Sequence, residues 1–89
     1  MYDHLHERIN VSAYFEPFKV TITSFEWRER FYQVKELHLT MKAGHGRDTV
    51  WLFSVSTETA AFKLRFDSGT LEWFLEEMVW DETQPMDDI

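Results

Sequence analysis

The chain has 89 residues, of which fifteen are aromatic and none is cysteine, and it carries a formal net charge of −7. That length fits one domain with one thin core, and the lack of cysteine excludes disulfides and thiolate metal sites as supports for it. No apolar run reaches the roughly 18–20 residues of a membrane-crossing helix. The charged start Met1–Ile9 has no signal-peptide apolar core either, so a soluble, cytoplasmic protein without membrane association is expected.

Residues 1–8 are polar and contain His4 and His6, a composition that reads as a flexible N-terminal arm. A first strand is expected over Ile9–Phe15, ending near Glu16-Pro17 because proline cannot donate to a ladder. A second covers Val20–Trp27. There Val20 and Ile22 fall on one parity and Phe25 and Trp27 on the other, the signature of a bulge. Arg28-Glu29-Arg30 reads as a hairpin tip, followed by a third strand over Phe31–Met41 whose apolar parity is mixed. The loop Lys42–Asp48 holds two glycines, Gly44 and Gly46. A fourth strand then places Trp51, Phe53 and Val55 on one face. Glu58-Thr59 turns into a fifth, in which Phe62, Leu64 and Phe66 alternate with Lys63, Arg65 and Asp67, a half-buried pattern. After Ser68-Gly69, the segment Leu71–Trp80 fits either a helical face or a strand. A strand bending near Glu76-Glu77 is the preferred reading. Residues 82–89 read as a disordered acidic tail. The expected fold is therefore all-β: one domain over residues 9–81, an antiparallel meander of five or six strands in a strongly curved sheet or SH3-like open barrel.

Charge is unevenly placed. Residues 1–71 carry nine acids against nine Lys and Arg, whereas the seven acids from Glu72 onward face no basic residue. Such an end keeps a protein soluble or meets a basic partner.

Few residues suggest chemistry. His4 and His6, two apart on an extended chain, would share a face and offer half of a zinc site, whose remaining ligands among His38, His45, Asp3 and Glu7 only the fold could recruit. Gly44-His45-Gly46-Arg47-Asp48 lacks the spacing of a phosphate-binding loop. No serine sits on a nucleophile elbow and no acid–base pair is apparent, so neither an enzyme, a metal site nor a cofactor is expected. The stretch Trp27-Arg28-Glu29-Arg30-Phe31-Tyr32 stands out. Arginines between aromatics at a turn can anchor a protein hot spot or stack on bases and clamp phosphates. Lys63 and Arg65 add a second basic strip. Trp27, Arg28, Arg30, Tyr32, Lys63 and Arg65 are thus the candidate binding residues.

The segments Trp27–Val34 and Trp73–Asp81 resemble a small bacterial β-rich domain family of unknown function, found alone or appended to proteins similar to Y-family DNA polymerases. The pattern is an aromatic strand into Trp-Arg-Gly-Arg, then Tyr-x-Val, a Trp-containing middle strand matched by Trp51, and a closing run matched by Gly69, Trp73 and Leu75. The resemblance spans about residues 15–81 and implies no catalytic residue. Glu29 stands where the family has glycine, which implies a different turn there. From all this we expect a non-enzymatic binding or accessory module. Its partner is a protein, met through an edge strand or the aromatic–arginine turn, or a second copy of the chain. The alternative is an accessory single-stranded nucleic-acid binder linked to DNA repair or replication.

Overall fold

The alternation in Ala61–Asp67 buries Phe62, Leu64 and Phe66 and leaves Lys63 outside, and every other strand is organised around that face. The computed structural model describes residues 2–44 and 49–80. These form β1 (Tyr2–Glu16), β2 (Lys19–Trp27), β3 (Arg30–Gln33), β4 (Glu36–Ala43), β5 (Val50–Ser56), β6 (Ala61–Asp67) and β7 (Glu72–Val79). All neighbours pair antiparallel in the order β3-β2-β1-β7-β6-β5-β4. The fold is the expected all-β curved sheet, and Leu71–Trp80 is resolved in favour of a strand.

Three details differ from expectation. Residues 2–8 are not an arm but the first half of β1. Residues 2–9 pair with β7, and residues 10–16 of the same strand pair with β2. The polar composition that suggested an arm reflects a strand with an exposed outer face: His4, His6 and Arg8 are exposed while Leu5 packs against the core. The strand count is seven because the run Phe31–Met41 is broken at Val34-Lys35, which explains its mixed parity. Val34 donates its N–H to Thr23 of β2 at 2.9 Å, and Lys35 donates to Ser56 of β5 at 2.8 Å. Lastly, the expected tail over 82–89 lies outside the described residues.

Val34 and Lys35 are decisive for shape. β3 and β4 are the two ends of the sheet, yet two residues join them, so the sheet must roll until its ends nearly meet. In a flat sheet, β2 and β6 would lie three strand spacings apart, about 14 Å. Instead the Phe25 and Phe62 ring centroids are 5.0 Å apart, and those of Tyr32 and Phe62 are 5.4 Å apart. Bulges supply the curvature. The one expected in β2 lies at Thr23, which the register skips between Ser24 and Ile22, letting both Ile22 and Phe25 point inward. Others lie at His38 of β4, at Leu5-His6 of β1 and at Glu76 of β7, where a bend was expected.

The rolled sheet encloses Ile9, Ile22, Phe25, Trp27, Phe53, Val55, Phe62, Leu64, Phe66, Trp73 and Leu75. Phe62 lies where the two halves meet, edge-on to Phe25, Trp27 and Tyr32. Truncating a packed phenylalanine costs about 3–5 kcal/mol. Urea unfolding of Phe62→Ala, followed by tryptophan fluorescence, should show a loss of that size.

Turn backbones carry strain. Arg28 and Glu29, at φ 54° and 64°, have the paired left-handed conformation of a type I′ turn. Glu29 therefore keeps the backbone shape that a glycine would take, although its identity suggested a different turn. Left-handed φ costs a residue with a Cβ about 1–2 kcal/mol, partly offset by the freedom glycine gains when unfolded. Glu29→Gly should consequently raise stability by about 0.5–1 kcal/mol, seen as a melting temperature a few degrees higher.

Candidate functional site

The aromatic–arginine turn is built inward. Trp27 ends β2 on the buried face, with 8% of its surface exposed, and its ring lies against Phe62 and Tyr32. Tyr32 stacks on Phe25 with centroids 5.1 Å apart. The Trp27 indole donates from Nε1 to Glu7 Oε1 at 2.8 Å. Arg28 folds back over the Trp27 ring, 4.5 Å from its centroid. It donates from Nε to Glu7 Oε1 at 3.2 Å and from Nη2 to Oε2 at 2.7 Å. One carboxylate from β1 thus receives both residues, and the fork geometry suits a guanidinium. Glu7 was not expected as a partner of Trp27 and Arg28, since it lies twenty positions before Trp27 and only the β1–β2 pairing brings them together.

Two of the six candidates, Lys63 and Arg65, lie elsewhere. They project from the outer face of β6, opposite to Phe62 and Leu64. Lys63 faces Glu77 at 3.5 Å, and the Arg65 guanidinium lies 5.6 Å from the Phe74 ring centroid. Arg30 is exposed at the start of β3. The turn and the β6 strip therefore do not form one continuous basic surface of the kind that tracks a phosphate backbone. His4 and His6 each meet a separate glutamate. His4 lies 3.8 Å from Glu77, while His6 lies 2.7 Å from Glu76 and stacks on Phe74. Among the described residues, no group of three or more His, Cys, Asp or Glu is placed to hold a metal ion.

A different surface emerges from the strand pairing. Among the described residues β4 pairs only with β5, so its other edge presents backbone N–H and C=O groups along Glu36–Ala43. β3 covers β2 only from Ser24 to Trp27, and among the described residues the same side of Lys19–Thr23 is open apart from the Thr23 carbonyl, which accepts from Val34. Between these two edges runs a groove of about 570 Å³, whose apolar wall includes Val20, Ile22, Val34, Leu37 and Trp51. On the outer face of β4, Leu39 and Met41 are about half exposed, at 53% and 48%. Edge strands were expected as a binding device, but the pairing of two facing edges is not visible in sequence.

No protein-family model, curated protein or solved structure matches the chain.

Glu7 gives this region a pH signature. Its hydrogen bonds from Arg28 and then Trp27 hold its pKa below the usual carboxylate range, with the nearby Arg28 charge adding to the effect. A carboxylate depressed in the folded state contributes its full stabilisation above its unfolded pKa and loses it as pH falls through the folded value. Glu7→Gln should melt at a lower temperature than the parent at pH 7. The gap should close as melts are repeated down to about pH 3, below the ordinary glutamate value.

Proposed function

We propose that this chain is a non-enzymatic interaction module that captures an extended segment of a protein partner by strand addition at an open sheet edge. The observation that carries this reading is the outer edge of β4, eight residues long and unpaired among the described residues, with exposed Leu39 and Met41 beside it. Main-chain hydrogen bonds along such an edge supply affinity, and alternate side chains supply selectivity. Natural sheets usually blunt their edges with charge, proline or a covering segment. Along Glu36–Ala43 the only Asp, Glu, Lys or Arg side chains are Glu36 and Lys42, near its two ends.

The aromatic–arginine turn supports this role less well. Trp27 is buried and Arg28 is committed to Glu7, so base stacking at this turn would require the hairpin to open. The test is to select ligands from a random extended-peptide display library with the full chain and then map them by hydrogen–deuterium exchange. Selected peptides should protect amides within 36–43 or 19–23. Peptides that protect only the 27–32 hairpin would overturn the edge assignment. Binding of labelled single-stranded DNA that weakens by orders of magnitude from about 50 to about 200 mM salt, and is lost in Arg28→Ala/Arg30→Ala, would replace the reading with a nucleic-acid one.

A further inference from the structure

We infer that two copies of this chain exchange halves, with residues 2–33 of each packing onto residues 36–80 of the other and the link Val34-Lys35 acting as the hinge. The inference is separate from the edge-binding reading. Among the described residues, one strand pair joins β1–β3 to β4–β7, residues 2–9 against residues 73–79. Side-chain contacts between the halves surround it: Phe62 with Phe25, Trp27 and Tyr32, Phe15 with Phe66, and His6 with Glu76 at 2.7 Å. The same contacts form when the second half belongs to another copy, so exchange gives up none of the core.

Each half is also fastened within itself. In the first, Glu7 accepts from Trp27 at 2.8 Å and from Arg28 at 2.7 Å, and Tyr32 stacks on Phe25. In the second, Trp73 packs on Phe53 and Phe66. The hinge obeys the same division. Val34 donates its N–H to Thr23 of the first half, and Lys35 donates to Ser56 of the second. Opening the link therefore changes backbone torsions between two residues and breaks neither hydrogen bond.

The composition of the link favours opening. The bend that brings the two ends of the sheet together is made by Gln33-Val34-Lys35-Glu36, with none of the Gly, Pro, Asn, Asp or Ser that supply turn conformations. Valine is instead a strand former, and read as a string Phe31–Met41 is one strand. Short hinges under strain invite exchange, because a chain that turns poorly at the link can run straight through it into a neighbour. In the exchanged form β3 and β4 run on as one strand and the bend is gone. Association costs translational and rotational freedom, so the balance between the two forms is set by that relieved bend and by protein concentration.

The test refolds the full chain from urea at about 1 μM and at about 1 mM and measures its mass by light scattering. A dimer should appear at the higher concentration. Exchange is then identified with two single variants, His4→Cys and Glu77→Cys, which place one cysteine each on opposed residues of β1 and β7, a spacing that a disulfide can bridge. Mixed in urea, refolded together, diluted and oxidised, they should give a covalent dimer that contains both variants. Two whole copies meeting at an edge would keep these cysteines on different sheets and give no such product. A Gly-Ser-Gly-Ser-Gly-Ser insert between Val34 and Lys35 lets the chain bend freely and should weaken the dimer about tenfold or more, a difference of about 1.4 kcal/mol. Val34→Asn/Lys35→Gly, which writes a turn at the bend, should act in the same direction. A chain that stays monomeric at the higher concentration, a dimer without the mixed covalent product, or a dimer indifferent to both hinge changes would each overturn the inference.

Discussion

Two residues, Val34 and Lys35, constrain the whole sheet. Their N–H groups bond to β2 and to β5, at opposite ends of the strand order. A twisted open sheet with free ends could relax in many ways. This one cannot, because the chain steps from its last strand on one side to its last strand on the other within a single bend. Rolling follows, and with rolling comes an interior: Phe62 lies beneath the β2–β3 hairpin, and Phe53 and Trp73 share the other half of the core with Phe66. For a chain this short, enclosing so many aromatic rings on one face offsets the small fraction of surface that can be buried.

The same bend explains why closure is incomplete. Where the chain leaves β2 to join β5, the first half of β2 and the whole of β4 diverge, and each keeps one edge without a neighbour among the described residues. The binding surface proposed above is thus the direct counterpart of the step that makes the core. Its apolar walls are inward-facing residues of the same strands, which is why the groove is continuous with the core rather than a separate surface feature.

Glu7 shows how one side chain can convert a surface motif into structure. Two arginines among aromatics suggest recognition when read as a string. In the fold, a carboxylate from the first strand accepts from Trp27 and from the Arg28 fork, and the ring under that guanidinium is already part of the core. The motif thereby fixes β1 against the β2–β3 turn. The bulge at Leu5-His6 lies immediately before Glu7, with His6 at φ 123° and turned outward onto Phe74 while Leu5 packs inward. Leu5, Glu7 and Ile9 nonetheless keep one parity and share the less exposed face of β1.

Local pattern was enough to establish the all-β class, most strand positions, the buried faces of β5 and β6, and the bulge in β2, because side-chain direction in a strand depends only on parity and parity is written in the chain. It failed at Tyr2–Arg8, where an exposed outer face resembles an unstructured arm, and at Phe31–Met41, where two strands with different neighbours read as one. Which edges pair, which stay open, and which carboxylate meets Arg28 are relations between residues far apart in the chain. They are settled by the roll of the sheet, and no local alternation encodes that roll.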